Sequence, residues 1–498
     1  MRRPGAILLI SCYELGHQPL GIAQPLGFLE QAGFAPVGLD IAVEDFDTDR
    51  VRRARFIGMS VPMHTALRLG VRVAELIRAT HPSCHICFYG LYASINAEYL
   101  LGNVADSVIG GEYEGPLVRL VQAMDEDHPA PTLNQAFQQV EGVSLPGRVT
   151  GPWLKRPPLP FPPPSRRTLP VLDRYARLEE NGAKRLVGYV EASRGCLHTC
   201  LHCPIVPVYN GRFFIFPEDA VLQDIRGQVG AGATHITFGD ADFLNGPRHS
   251  LSILRAMHRE FPHLTFDCTT KIEHILQHRH LIPELGSLGC LFVISAVESF
   301  SNRVLEHLRK GHTRADVLAA LEILNASGIT LRPSLVPFTP WTTLDDYLEM
   351  FEIVESAELV DAMDPVQFTI RLLIPPGSAL LTDAPTTPPP ILQFLGPLDQ
   401  ANFQYRWAHP DARMDALHQA VTAAVEATAG TDEDPHVTFD RLRGLAYAVA
   451  DRQPPGPVSR TRALVRRRLP RLTESWFCCA EPTAEQFRAL HLKGHGEV

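Results

Sequence analysis

Short apolar runs separated by amphipathic stretches set the pattern from Ala6 to Gly111: "AILLI", "PVGLDIA", "RFIGMSV", "CHICFYG" and "ADSVIGG". Runs this short, bounded by turn formers, read as strands buried on both faces, and their alternation with helical stretches predicts a doubly wound α/β layer. Between two of them, Leu67, Leu69, Val71, Val73, Leu76 and Ile77 recur amid Arg68, Arg72 and Arg78. That spacing predicts a helix covering one sheet face. A second series, "LVGYVEAS", "THITFGD", "LTFDCTT", "LFVISAVES", "ITLRPSLV" and "VQFTIRLL", runs from Val187 to about Leu381 and predicts a parallel partial (β/α)6 barrel.

Proline marks the boundaries. "WLKRPPLPFPPPSRRTLP" (Trp153 to Pro170) favours extended polyproline geometry and reads as a stiff linker, and "APTTPPPIL" breaks the pattern again. The expected organisation is an N-terminal Rossmann-like domain over 1–150, a Pro-rich linker over 151–180, a barrel over 181–385 and a mostly helical C-terminal region over 386–498. No internal repeat of solenoid period is present.

Composition narrows the functional classes. The 498 residues are 45% hydrophobic and 20% charged, with a formal net charge of -9, so nucleic acid is not the expected partner. The basic stretch "RTRALVRRRLPRL" (460–472) has no interleaved aromatic residues and reads as a solvated helix face. No apolar run reaches the ~18 to 20 residues of a membrane helix, and the one in "MRRPGAILLISC" is shorter than the ~7 to 15 of a signal core. Ten cysteines without framework spacing point to a reducing cytoplasm rather than a disulfide scaffold. Cys84 and Cys87 fall on opposite faces of one strand, and Cys268 and Cys290 in or beside barrel strands; all four read as packing residues.

Three cysteines depart from that pattern. "EASRGCLHTCLHCPIV" (191–206) sets Cys196, Cys200 and Cys203 at C-x3-C-x2-C directly after the first barrel strand, at the end where barrel active sites are built. A zinc site usually takes four ligands in two arms, and no second arm lies at a fitting distance. Three thiolates can hold a [4Fe-4S] cluster with one iron left open.

On these residues the chain resembles the radical S-adenosylmethionine superfamily. The resemblance implies that Cys196, Cys200 and Cys203 hold the cluster and that its open iron takes the amino and carboxylate groups of S-adenosylmethionine. His202 occupies the position before the last cysteine, where the resemblance implies a residue beside the adenine. "FGDADF" (238–243) partly matches the strand-end motif that meets the methionyl amine, through Gly239 and Asp240. "VESFSNRVLEHLRKGHT" (297–313) resembles the segment in which a strand-end glutamate, here Glu298, meets the ligand. Arg332 and Arg371 would point into the barrel mouth, either toward a substrate carboxylate or onto a structural acid.

The stretches "GHQPLGIAQPLGFLEQAGF" (16–34) and "GGEYEGPLVRLV" (110–121) resemble the cobalamin-binding domain that precedes many such barrels, which implies cobalamin as a further cofactor. The broader family's Asp-x-His-x-x-Gly motif is replaced by "YELGHQPLG", with Glu14, His17 and Gly21 at another spacing, so His17 reads as a partly solvated loop histidine. "RLTESWFCCAEPTAEQF" resembles the Cys-Cys-Ala-Glu-Pro tail of one radical S-adenosylmethionine group; its Cys478 and Cys479 are candidates for a redox relay, substrate carrier or soft-atom ligand.

The implied function is a cytoplasmic enzyme for radical methylation, or another bond formation, on a small molecule. It would be supplied with electrons by a donor such as flavodoxin or ferredoxin. The alternatives are transfer of the 3-amino-3-carboxypropyl group of S-adenosylmethionine to a soft element such as arsenic on the tail dithiol, and a non-enzymatic cobalamin or iron-sulfur carrier or sensor.

Overall fold

The computed structural model describes residues 1–125, 130–156, 160–383, 389–428, 431, 433–456 and 469–474. Its first layer contains β1 (Ile7–Ser11), β2 (Val37–Asp40), β3 (Phe56–Ser60), β4 (His85–Tyr89), β5 (Ser107–Ile109) and β6 (Val143–Ser144) in the order β2-β1-β3-β4-β5-β6. The first five are parallel and β6 runs antiparallel to β5. The apolar runs sit at the centre: Ile7, Leu8, Leu9 and Ile10 are at most 1% exposed. The chain moves to one side of β1 for β2 and to the other for β3, so the strand order reverses at β1, where such sheets open a crevice. The predicted helix forms as His64–Thr80 and buries Leu67, Leu69, Val73 and Ile77. Cys84 joins the core on one side of the sheet and Cys87 the core on the other, as strand alternation requires.

The proline-rich stretch is a strap on this layer. Prolines lack an N–H, but their carbonyls remain acceptors. Gln24 donates to the Pro162 carbonyl at 2.9 Å, Ser165 N–H to the Ala23 carbonyl at 2.8 Å, and Gly38 N–H to Thr168 Oγ1 at 2.9 Å. A Cβ on Gly27 would stand 2.4 Å from the Pro163 carbonyl oxygen, so only glycine admits the strap there.

The second sheet begins with β7 (Arg177–Glu180), antiparallel to β8 (Ala183–Val190). A hairpin of β9 (Ser193–Gly195) and β10 (Phe213–Ile215) brackets the cysteine loop. Then β11 (His235–Phe238), β12 (Thr265–Thr269), β13 (Cys290–Glu298) and β14 (Thr330–Leu335) continue parallel to β8. These strands form a curled half-barrel. The segment expected as a sixth strand forms a 3-10 turn at Pro365–Phe368 and one parallel bridge from Phe338 to Arg371. There the Gln367 side chain accepts from Leu335 N–H at 2.9 Å, so an amide group fills the hydrogen-bonding position a further strand would take.

Beyond it lie the antiparallel pair β15 (Leu395–Asp399) and β16 (Gln404–Trp407) and two helices, Ala412–Glu426 and Pro435–Val449. Met414, Leu417, Val421, Phe439 and Leu442 from those helices share one apolar core with the barrel. A short β17 (Arg471–Leu472) pairs with β7 and closes the strand order β14-β13-β12-β11-β8-β7-β17. Arg471 of the basic stretch is bonded to Glu179 at 2.9 Å; residues 460–468, Cys478 and Cys479 lie outside the described residues. Among the described residues, no helix is long and apolar enough to cross a membrane.

Candidate active site at the barrel mouth

The cysteine loop leaves β8 at its carboxyl end. Gly195 has φ +85°, and a Cβ there would come within 2.5 Å of the Arg212 carbonyl oxygen, so glycine permits the turn that presents the first thiol. Cys196 N–H donates to that same carbonyl at 3.0 Å and Leu201 N–H to the Leu308 carbonyl at 3.0 Å, tying the loop to β10 and to the segment after β13. Cys196 and Cys200 are buried and Cys203 is half-buried. Burial, with Asp242 and Cys200 nearby, pushes the Cys196 thiol up to about 11, and burial together with the other two cysteines raises Cys203 further. Burial that disfavours a bare thiolate at Cys196 and Cys203 suits a site where metal cations supply the missing positive charge.

His202 and Glu298, 96 residues apart, meet beside this loop. Glu298 Oε1 is 3.1 Å from His202 Nε2 and 3.2 Å from Lys310 Nζ, and all three residues are largely buried. The register of β13 against β14 shifts between Ala296 and Glu298, and Glu298 has φ +63°. An irregularity of this kind re-aims a side chain, and a non-glycine residue in the left-handed region stores strain that clusters at functional sites. Burial opposes the charge on Glu298, but Lys310 and His202 overcome it and hold the carboxyl at about 2. Lys310 is also raised, against the effect of burial, by Glu298 and by Cys200 and Cys203. Lys310 lies in the same 297–313 segment as Glu298, and its role as counter-charge to both carboxylate and thiols emerges only in three dimensions.

The other sequence candidates sort differently. Both Asp240 oxygens are engaged, one by Ala192 N–H at 2.9 Å and the other by Ser193 Oγ at 2.5 Å, so Asp240 holds the entry to the cysteine loop. A Cβ on Gly239 would stand 2.3 Å from the Tyr189 hydroxyl, and close packing accounts for that glycine. Arg332 bonds Asp364 at 2.8 Å, and Arg371 bonds Asp415 at 2.8 Å with its guanidinium 3.6 Å over the Trp407 ring. Both arginines therefore take the structural-acid alternative. His17 is not the partly solvated residue expected: it is 7% exposed and stacks on Tyr189 at 4.3 Å, and burial lowers it to about 4.

The two sheets meet across a buried charge cluster. Arg194, between Glu191 and the first cysteine, bonds Glu114 Oε1 at 2.8 Å and Glu191 Oε2 at 3.3 Å, and packs against the rings of Tyr113 and Phe216. Burial raises Glu112 and Glu191 to about 7 despite that cation, and raises Glu14 to about 8 although Leu20 and Gly21 N–H donate to it. Next to this interface, at the carboxyl ends of β1 and β2, a cavity of about 350 Å³ is lined by Cys12, Tyr13, Gly16, Ile41, Leu69 and Glu474 among others. It adjoins an opening of about 630 Å³ through Val43 and Arg174. No histidine lines either among the described residues.

The description of the radical SAM superfamily matches residues 190–352, from the end of β8 to the helix after β14. The chain thus carries a radical S-adenosylmethionine domain, whose cofactors are a [4Fe-4S] cluster and S-adenosylmethionine. Among curated relatives, it is 22% identical over 201 residues to a putative methylthiotransferase of Methanocaldococcus jannaschii, covering 37% of this chain and 42% of that one. It is 23% identical over 313 residues to an uncharacterized methyltransferase of Pyrococcus horikoshii, covering 61% and 64%. The chain spans about two fifths to half the length of the methylthio relatives. Among solved structures, the radical S-adenosylmethionine methyltransferase TsrM from Kitasatospora setae, with cobalamin and a [4Fe-4S] cluster bound, covers 90% of this chain and 100% of its own at TM-score 0.63 and 13% identity. The cobalamin-dependent radical enzyme OxsB covers 85% and 67% at TM-score 0.66 and 15% identity. This chain therefore shares their fold: Rossmann-like layer, half-barrel and helical C-terminal region.

Proposed function

We propose that this protein is a cobalamin-assisted radical S-adenosylmethionine enzyme that forms a new bond, most simply a methyl transfer, on a small molecule. The observation that carries the reading is the convergence of Cys196, Cys200 and Cys203 with the His202–Glu298–Lys310 triad at the strand ends of a half-barrel. Cys196, Cys200 and Cys203 would hold the cluster. When bound, the cluster supplies the electron that cleaves a carbon–sulfur bond of S-adenosylmethionine. Glu298, held ionised by Lys310 and His202, is suited to accept from the ammonium of an amino-acid ligand, and Lys310 offsets the thiolate charge nearby. The packed interface around Arg194 would exclude water from the reacting space.

The N-terminal crevice suits the nucleotide tail of a planar cofactor such as cobalamin, since it lies at the strand-order reversal and is partly apolar. This chain offers cobalt no imidazole from its described lining residues. The similarity to TsrM and OxsB, whose structures hold cobalamin, supports that choice. The test is anaerobic: reconstitute the protein, supply S-adenosylmethionine and dithionite, and identify products by mass spectrometry. 5'-Deoxyadenosine together with S-adenosylhomocysteine is the expected result. Methylthioadenosine as main product would overturn methyl transfer in favour of aminocarboxypropyl transfer, and no cleavage would reduce the protein to a carrier or sensor.

A further inference from the structure

At the cysteine loop, side chains from two loops and one short helix converge on one point. His198 lies between the first two cysteines, Asp242 follows β11, and His274 belongs to the short helix Ile272–Gln277 after β12. His198 Nε2 stands 3.3 Å and His274 Nδ1 2.8 Å from the same oxygen, Asp242 Oδ2. Among the described residues this is the one trio of His, Cys, Asp or Glu side chains whose ligand atoms all lie within 4.8 Å of one another. Asp242 is fully buried and His274 is 6% exposed.

Those separations are what one ion imposes on its ligands. Bonds of about 2.0 to 2.1 Å spread at 90 to 110° put neighbouring donor atoms about 2.8 to 3.4 Å apart. As hydrogen bonds the same contacts fail on direction, since His198 Nε2, Asp242 Oδ2 and His274 Nδ1 are all buried without a hydrogen-bond partner. Three such atoms aimed at each other would be costly unless something else satisfied them. Other atoms of these side chains are arranged as an outer sphere. Asp242 Oδ1 accepts from Thr270 Oγ1 at 2.8 Å and from Leu244 N–H at 3.1 Å, which turns Oδ2 toward the imidazoles. His198 Nδ1 faces Glu273 Oε2 at 3.5 Å, and Lys271 Nζ holds Glu273 at 3.1 Å. A carboxylate behind the non-ligating ring nitrogen is the usual support of a metal-bound histidine.

We propose that His198, Asp242 and His274 bind one divalent first-row transition ion, zinc or ferrous iron, at the barrel mouth and apart from the iron held by the three cysteines. Two imidazoles and one carboxylate favour such ions over calcium or magnesium and leave coordination positions open to an oxygen or nitrogen atom of the substrate. Because His198 sits between Cys196 and Cys200, the ion also braces the cysteine loop against the loops after β11 and β12.

The test uses the full chain carrying Cys196→Ala, Cys200→Ala and Cys203→Ala together, so that thiols do not compete for the probe. Zinc is titrated against a chromophoric chelator and bound metal is counted by mass spectrometry. One zinc per chain is expected, with affinity falling tenfold or more when Asp242→Asn or His274→Ala is added. Because those two changes reach the interior, Glu273→Gln serves as the milder variant. Its side chain is 43% exposed, and the loss of a supporting carboxylate weakens metal binding about 10- to 100-fold. Zinc affinity unchanged in all three variants, or no stoichiometric zinc at all, overturns the proposal. The cluster reading is judged separately by iron in the unsubstituted chain, which can fail while the zinc site stands.

Discussion

Replacing Lys310 with Met isolates the energetics of the Glu298 site. Glu298 titrates at about 2 in the fold against 4.5 for an ordinary glutamate. At 1.36 kcal/mol per unit, that difference corresponds to about 3 kcal/mol of stabilisation of the charged form. The carboxyl is depressed, so this stabilisation is fully present above pH ~4.5 and is lost as pH falls toward 2. It is therefore constant between pH 5 and 8 in the unaltered protein. Lys310→Met removes the main counter-charge and leaves a carboxylate 6% exposed, for which the expected loss is about 3 to 5 kcal/mol. The carboxyl should then titrate upward into the pH 5 to 8 window, so that the variant becomes more stable as pH falls through it. The assay is urea unfolding of the cluster-free protein at pH 5, 6.5 and 8, followed by circular dichroism. The Lys310→Met/Glu298→Gln double variant should recover part of the loss, because no unpaired charge remains buried. A Lys310→Met protein within about 0.5 kcal/mol of the parent at pH 8, where an exposed pair would sit, would refute the reasoning.

The interface carboxylates act in the opposite sense. Glu14, Glu112 and Glu191 are raised to about 8, 7 and 7, so their contribution is fully present below pH ~4.5 and is lost as pH rises through 7 to 8. The melting temperature should fall between pH 6 and 9, and Glu14→Gln should flatten that slope; an unchanged slope counts against the assignment. Replacing Cys196, Cys200 or Cys203 singly with Ala should abolish iron incorporation on anaerobic reconstitution, read by iron analysis and the cluster's absorption, and full iron in any of them would overturn the ligand set. Gly239→Ala should cost about 1 to 3 kcal/mol through overpacking against Tyr189, measured by thermal unfolding, with an unchanged midpoint contradicting the packing account.

The site was partly legible in the chain. Cysteine spacing is local, so C-x3-C-x2-C after an apolar run marked out three thiols and their place at a strand end. Strand positions were legible for the same reason: β1 to β5, the second half of β8 and β11 to β14 are largely buried and appear as short apolar runs. Contacts between distant segments were not legible. Nothing in "FGDADF" distinguishes Asp240, which bonds the backbone of the cysteine loop, from Asp242, which faces two histidines. Both are buried acids two residues apart, and only the path of the loop decides their directions.

By itself, then, the sequence determined what depends on period and spacing: the two α/β layers, the breaks between them and the three thiols. Tertiary structure decided what depends on closure over long separations. It brought Glu298 to His202 and Lys310 through an irregular strand end with a left-handed residue, turned the prolines into a strap by using their carbonyls, and buried His17 on Tyr189. Local preference is written in consecutive residues, whereas the charge and hydrogen-bond partners of a buried group are supplied by whichever segments the core brings against it.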